Sequence, residues 1–297
     1  AVTIKLVGDY FDDTLAAAQK YCAKVGGHFL SPFDDNDVIE GQASVAVEIL
    51  NELPSAPDMV ILPVGGGGLS AGVLSYFGSE APAIDVRLVE PKGGTSLAAA
   101  LANGSPVTLD RVDNFVDGAA VARIGEKTFA VLRGVSPDKV MDVQEDRICT
   151  TMVEMLNVEG IVLEPAGALS IDVLTDLKDQ IRGKTVVCVT SGGNFDFERL
   201  PEVKERALRF SGLKKYLILR MPQRPGALKE FLGLLGPDDD IARFEYLKKS
   251  ARNYGTVLIG IESKDRGSLL DLLDRMSTKD FAFQDITDNE ALAEFLV

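Results

Sequence analysis

Apolar and polar positions fall into two successive patterns along the chain. From residue 2 to about 210, short apolar runs alternate with longer amphipathic stretches, the order expected of βαβ units around a mostly parallel sheet covered by helices on both faces. Strands are predicted at Val2–Val7, Met59–Val64, Asp85–Val89 and Thr185–Thr190. The last three are near-continuous apolar runs, suited to central parallel positions. Helices are predicted at Asp12–Val25, Val38–Leu53, Leu69–Phe77 and Gly167–Leu177. The first strand opens without a turn or cap, as if a sheet were entered midway.

After Gly212 the pattern changes. A strand at Tyr216–Met221 is followed by a helix at Gly226–Leu235, strands at Ile241–Lys248 and Thr256–Glu262, a helix at Gly267–Met276 and a strand at Phe281–Ile286. That βαββαβ order is ferredoxin-like. The expected fold is therefore α/β, with a domain over residues 1–211 and a small ferredoxin-like module over 212–297. The acidic run Asp238-Asp239-Asp240 behind Gly236-Pro237 reads as a solvated turn.

Charge narrows the class of partner. Forty-five acidic against 31 basic residues give a net charge of −14, which disfavours nucleic acid and anionic membranes as partners. The apolar runs fall far short of the ~20 residues that span a bilayer, and the expected location is the cytoplasm. Cys22, Cys149 and Cys188 show neither CxxC nor His-paired spacing, so they read as reduced core thiols. No metal is assigned. Glu90-Pro91 ends a strand, but Lys92, Gly93, Gly94 and Ser96 beside it offer few oxygen side chains.

The sharpest chemical signal is Gly65-Gly66-Gly67-Gly68, between an apolar strand and the helix opening at Leu69. Residues without Cβ let backbone N–H groups converge on an anion, and a helix start adds unpaired donors and the positive end of its dipole. A plain turn has little need of four glycines, so a phosphate cradle is the favoured reading. The spacing fits neither a Walker A loop nor the GxGxxG fingerprint. Ser191-Gly192-Gly193-Asn194 follows another apolar strand, at the sheet edge where open α/β folds bind ligands; taken alone it reads as a turn. The lone histidine, His28, sits before Phe29-Leu30 in a predicted strand and reads as packed or surface-exposed.

In this order, Val64 to Leu69, Glu164-Pro165-Ala166-Gly167-Ala168 and Ser191-Gly192-Gly193-Asn194 resemble the threonine dehydratases of the tryptophan-synthase-β-like (fold type II) pyridoxal-phosphate family. Pro32-Phe33-Asp34-Asp35, Val38-Ile39 with Gly41-Gln42, and Asp117 to Val121 strengthen the resemblance. It implies that Gly65, Gly66, Gly67, Gly68 and Leu69 hold the phosphate of pyridoxal 5'-phosphate and that Ser191 meets its pyridine nitrogen. Glu164 would lie near the cofactor, though a carboxylate serving the helix dipole is an equal reading. The implied activity is a lyase reaction, L-threonine to 2-oxobutanoate and ammonia, on the route to isoleucine. Arg224-Pro225-Gly226 resembles the turn of ACT-like domains, implying a site for isoleucine as allosteric inhibitor; a ligand-free helix-entry turn fits the residues as well. A homo-oligomer, dimer or tetramer, is expected. Two alternatives stand beside this: a serine-acting eliminase or racemase of the same fold type, and a non-catalytic isoleucine-binding assembly fragment.

One departure is serious. The family binds its cofactor through a lysine in a Ser-x-Lys-x-Arg-Gly-like segment upstream of the glycine loop, and none of Lys5, Lys20, Lys24, Lys92 or Lys184 has that context. The front part of such an enzyme is expected to be missing and the chain, as given, to be inactive. Gly41-Gln42-Ala43-Ser44 stands where relatives commonly have Gly-Gln-Gly-Thr, a milder difference. A polypeptide of only these 297 residues should form no stoichiometric, borohydride-reducible lysine adduct with pyridoxal phosphate and should not turn over threonine. Peptide mapping after reduction checks this, and a single labelled lysine would overturn it.

Overall fold

The apolar run from Met59 becomes the central strand of a parallel sheet in a computed structural model that describes residues 3–8, 11–247 and 254–289. The chain separates into two compact units, Ala1–Phe195 and Asp196–Val297. The first runs α1 (Phe11–Val25), α2 (Asn36–Gln42), α3 (Ser44–Glu52), β1 (Met59–Pro63), α4 (Gly68–Glu80), β2 (Asp85–Pro91), α5 (Ser96–Asn103), α6 (Glu126–Leu132), β3 (Val140–Val143), α7 (Glu145–Glu154), α8 (Pro165–Asp172), α9 (Leu174–Leu177) and β4 (Val186–Cys188).

Its four strands lie in the order β3-β2-β1-β4, every pair parallel. Alternation along β1 sends Val60 and Leu62 into a core shared with Val73 and Phe77 of α4, while Met59 and Ile61 are equally buried on the opposite face. Burial on both faces is what the unbroken apolar run demands. β2 is likewise interior. β4, expected to be central, is the edge strand of the described sheet, three residues long and only half-buried.

The expected strand at Val2–Val7 does not form over its described residues. Residues 3–8 adopt no regular structure, and Ile4 and Leu6 are 81% and 93% exposed; alternation alone makes no strand without a partner to take its hydrogen bonds. His28-Phe29-Leu30 is irregular for the same reason. The helix expected over Val38–Leu53 breaks at Ala43, whose N–H turns back to the Glu40 carbonyl (3.1 Å). There the backbone of Ile39, Gln42 and Ala43 rests on Gly72 of α4, so closely that a Cβ at 72 would collide with it.

Two buried carboxylates tie helices down. Glu90, at the end of β2, accepts the N–H groups of Leu97 (2.7 Å) and Ala98 (3.0 Å) at the start of α5. Burial pushes its carboxyl up to about 7 against the pull of those two donors. Asp172 on α8 accepts from Arg147 Nε (2.6 Å) and Thr151 (2.8 Å), and Arg147 also grips Asp176, fastening α7 to α8 and α9.

The second unit runs α10 (Leu200–Phe210), β5 (Lys214–Pro222), α11 (Ala227–Leu232), β6 (Asp239–Leu247), β7 (Tyr254–Ser263), α12 (Arg266–Thr278) and β8 (Ala282–Asp285). The sheet is antiparallel in the order β6-β7-β5-β8, the ferredoxin-like arrangement expected. Leu217, Leu219, Phe231, Ile259, Leu272 and Met276 share its core. Lys248, the last residue of one expected strand, lies outside the described residues. The acidic run is no simple solvated turn: Asp239 opens β6 with a buried side chain that accepts from Gly236 N–H (2.7 Å) and the Ser268 hydroxyl (2.8 Å).

Helix α10 precedes the expected boundary at residue 211 yet is grouped with the second unit. Its Glu205 accepts from Lys214 of β5 (2.5 Å), and Glu262 of β7 takes the same ammonium (2.7 Å). Burial opposes the lysine's charge, but the two carboxylates outweigh it and lift its pKa above the ordinary lysine value. Among the described residues, no helix is long and apolar enough to cross a membrane. A fragment beginning at Asp196 should therefore melt several degrees above one beginning at Leu213, which leaves Lys214 buried with half its counter-charge. Parallel thermal unfolding of the two fragments checks this, and equal melting would restore the later boundary.

Candidate active site

Between β1 and α4 the chain must turn from strand to helix within a few residues, and the glycines make the turn possible. Val64 donates to the Val89 carbonyl (2.8 Å), the last link to the sheet. The turn then passes through Gly67 at φ +89°, a left-handed conformation costly for any residue with a Cβ. Ala71 N–H closes the first helical turn on the Gly67 carbonyl (2.8 Å), and the buried Ser70 hydroxyl donates back to Pro63 (3.2 Å). The N–H groups of the first turn, from Gly68 onward, have no intrahelical acceptor.

Each missing side chain is matched by a neighbour. A Cβ at Gly65 would press on Ala119 and the Gly118 carbonyl, one at Gly66 would fall on the Phe33 ring, and one at Gly67 would meet Thr128 and Leu132. Thr128 donates its hydroxyl to the Gly66 carbonyl (2.8 Å), and Asp34 accepts from the N–H of Lys127 (2.7 Å) and of Thr128 (3.3 Å) at the start of α6.

The second loop follows β4. Ser170 of α8 donates to the Val189 carbonyl (2.8 Å), and Glu164 N–H donates to the Gly192 carbonyl (3.2 Å). Gly167 lets α8 approach so closely that a Cβ there would overlap the same carbonyl. Glu164 holds the N-cap position of α8, but its side chain makes no capping bond. Its carboxylate lies instead against Gly192 and Gly118, next to the Ser191 loop.

A cavity of about 360 Å³ joins the pieces, lined by Gly65 to Gly68, Leu69, Asp117 to Val121, Ala166 and Ser191, with Pro32, Phe33 and Gln42 closing another side. Five stretches far apart in sequence thus meet at one place. The lining suits a planar heteroaromatic ring bearing a phosphate: backbone donors and a helix start for the anion, largely apolar walls, and the Ser191 hydroxyl on a separate loop. Among the described residues, no lysine lines it.

The regulatory candidates lie in the second unit. Gly226 sits at φ +86°, ahead of α11, with open space where its Cβ would point. Arg224 is exposed and already paired through both terminal nitrogens with Glu230 (2.8 and 2.6 Å). Sequence reasoning missed that pair, as well as Thr128 and the α6 segment that carries it; α6 is a single short helix without a marked apolar repeat.

Residues 1–192 match the model of the pyridoxal-phosphate-dependent enzymes, and residues 205–296 match that of the C-terminal regulatory domain of threonine dehydratase. The chain is 46% identical over its whole length to the biosynthetic L-threonine dehydratase IlvA of Bacillus subtilis, of which it spans 70%. Among solved structures it is similar to the processed form of threonine deaminase isoform 2 from Solanum lycopersicum, with 36% identity, a TM-score of 0.64, and coverage of 68% of this chain and 59% of that one. Maize serine racemase is more distant, at 26% identity and a TM-score of 0.59, covering 67% of this chain and 62% of that one. On both matches and the full-length identity, the chain belongs to the biosynthetic threonine dehydratases, pyridoxal-phosphate-dependent enzymes that carry this regulatory domain.

Proposed function

We propose that Gly65, Gly66, Gly67, Gly68 and Leu69 hold the phosphate of pyridoxal 5'-phosphate, that Ser191 faces its pyridine nitrogen, and that the enzyme deaminates L-threonine to 2-oxobutanoate and ammonia on the route to isoleucine. The observation that carries this reading is the single cavity on which the glycine loop, Asp117 to Val121 and Ser191 converge. Bound there, the cofactor supplies an electron-withdrawing ring able to take up charge from the substrate's α-carbon. The glycine loop binds the phosphate through N–H groups alone. Ser191, a neutral partner, does not hold the ring nitrogen protonated as a carboxylate would, which favours loss of the β-hydroxyl over long-lived carbanion chemistry. Glu164, whose carboxylate lies beside Gly192 and Gly118, would serve as a proton-exchanging group near the cofactor.

The second unit is proposed to sense isoleucine at Arg224-Pro225-Gly226, where an amino-acid carboxylate would compete with Glu230 for the Arg224 guanidinium. A cytoplasmic homo-oligomer, with a catalytic domain and a sensor behind it, completes the proposal. The family and the regulatory domain support it.

In the holoenzyme, Gly67→Val should abolish cofactor retention, since the side chain meets Thr128 and Leu132 and the backbone is in the left-handed region. Ser191→Ala should retain cofactor with reduced turnover, and threonine should be preferred to serine in both wild type and Ser191→Ala. Cofactor content after dialysis, with turnover of both substrates, decides. Normal retention by the glycine variant would make the loop an ordinary turn. Isoleucine at a hundred times its dissociation constant should stabilise the second unit by ~2.7 kcal/mol, several degrees of melting temperature for a domain of this size. Arg224→Ala should remove that shift. An unchanged shift would move the site elsewhere.

A further inference from the structure

Resting on the phosphate-cradle reading, the geometry points to Thr128 as a positioning residue: its hydroxyl fixes the Gly66–Gly67 peptide so that the Gly67 N–H is aimed at the phosphate. Thr128 is fully buried and lies outside the cavity lining. Its hydroxyl donates to the Gly66 carbonyl at 2.8 Å, and Gly125 N–H approaches the same oxygen at 3.4 Å. Both donors come from the start of α6, so the carbonyl is drawn toward that helix. A peptide group is planar and trans, which forces the N–H of Gly67 to point the opposite way. Gly66 and Gly67 both border the cavity, whereas no residue of α6 lines it.

Glycine makes this fixing necessary. A peptide flanked by glycines turns over easily, and a flipped Gly66–Gly67 unit would present a carbonyl to the anion instead of a donor. Here the flipped state would lose the shorter of the two contacts of the buried Thr128 hydroxyl, leaving it only the Gly125 carbonyl at 3.1 Å. Asp34 completes the arrangement from outside, accepting from the N–H of Lys127 and Thr128 and so holding the α6 start in place. Pro32-Phe33-Asp34-Asp35 is thereby coupled to the cradle twice, through Asp34 under α6 and through the Phe33 ring against Gly66.

The experiment compares the 297-residue chain with its Thr128→Val and Thr128→Ser variants. The probes are pyridoxine 5'-phosphate and pyridoxine, which carry no aldehyde and cannot react with lysines. The chain has no tryptophan, so binding is read by equilibrium dialysis. Wild type should prefer the phosphorylated form. Thr128→Val should lose about tenfold of that preference while its affinity for pyridoxine stays put, and Thr128→Ser should recover it. Should Thr128→Val melt below the assay temperature, Asp34→Ala carries the same test with a smaller loss in the same direction. An undiminished preference in the valine variant would overturn the positioning role and leave the cradle intact. Equal loss for both probes, unrelieved by serine, would reduce Thr128 to packing. No preference in wild type would remove the cradle itself and this inference with it.

Discussion

Four successive positions without a Cβ let a strand, a helix start and two other stretches of chain reach the same cavity, and let a third pack behind it. Gly65 admits the Gly118-Ala119 backbone, Gly66 the Phe33 ring and Gly67 the Thr128 side chain, while the cavity keeps the remaining side. A glycine run on its own would be loose, since each residue costs conformational entropy to order. The cost is met by what surrounds it: Ser70 and Ala71 close the helix end, Val64 pins the strand end, and Thr128 holds the middle. The same device recurs at the second loop, where Gly167 and Gly192 let α8 come within backbone distance of the Ser191 turn.

Much of this was legible in the sequence because the signals were local. An unbroken apolar run can only be buried on both sides, and β1 is. Glycines in series after a strand have few physical uses, and the loop does line a cavity with Ser191. What could not be read depended on partners. Residues 3–8 alternate as a strand should yet pair with no strand among the described residues, and no periodicity reports that. The break at Ala43 is imposed by Gly72, some thirty positions away, and Thr128 acts on Gly66 across 62 positions. Polar residues on short helices carry no pattern until the fold shows what they touch.

The second unit shows the same limit in its charges. Reading Asp238 to Asp240 as a solvated turn followed composition, whereas Asp239 is buried by two specific donors, Gly236 N–H and Ser268. Lys214 stands ahead of the strand expected at Tyr216–Met221, and what makes its burial tolerable is Glu205 on a helix that precedes the sheet. A buried ammonium without carboxylates would lose its proton or unfold its surroundings. The pairing thus says where the unit begins more firmly than any composition shift around Gly212.

Net charge gives the site its last physical constraint. A chain of −14 that takes up a phosphate works against its own long-range field, although salt screens that field within about 10 Å. Attraction must then come from very short range, and in the proposed cradle N–H groups would supply it without adding a side chain that would need its own counter-ion. Donors fixed in the peptide plane have their ordering cost met at folding, so little is left to be lost on binding. Discrimination would follow from the same geometry, because a donor aimed at one point would recognise the phosphate and ignore the ring that carries it. An acidic protein can in this way hold an anion firmly at one place while repelling anions over the rest of its surface.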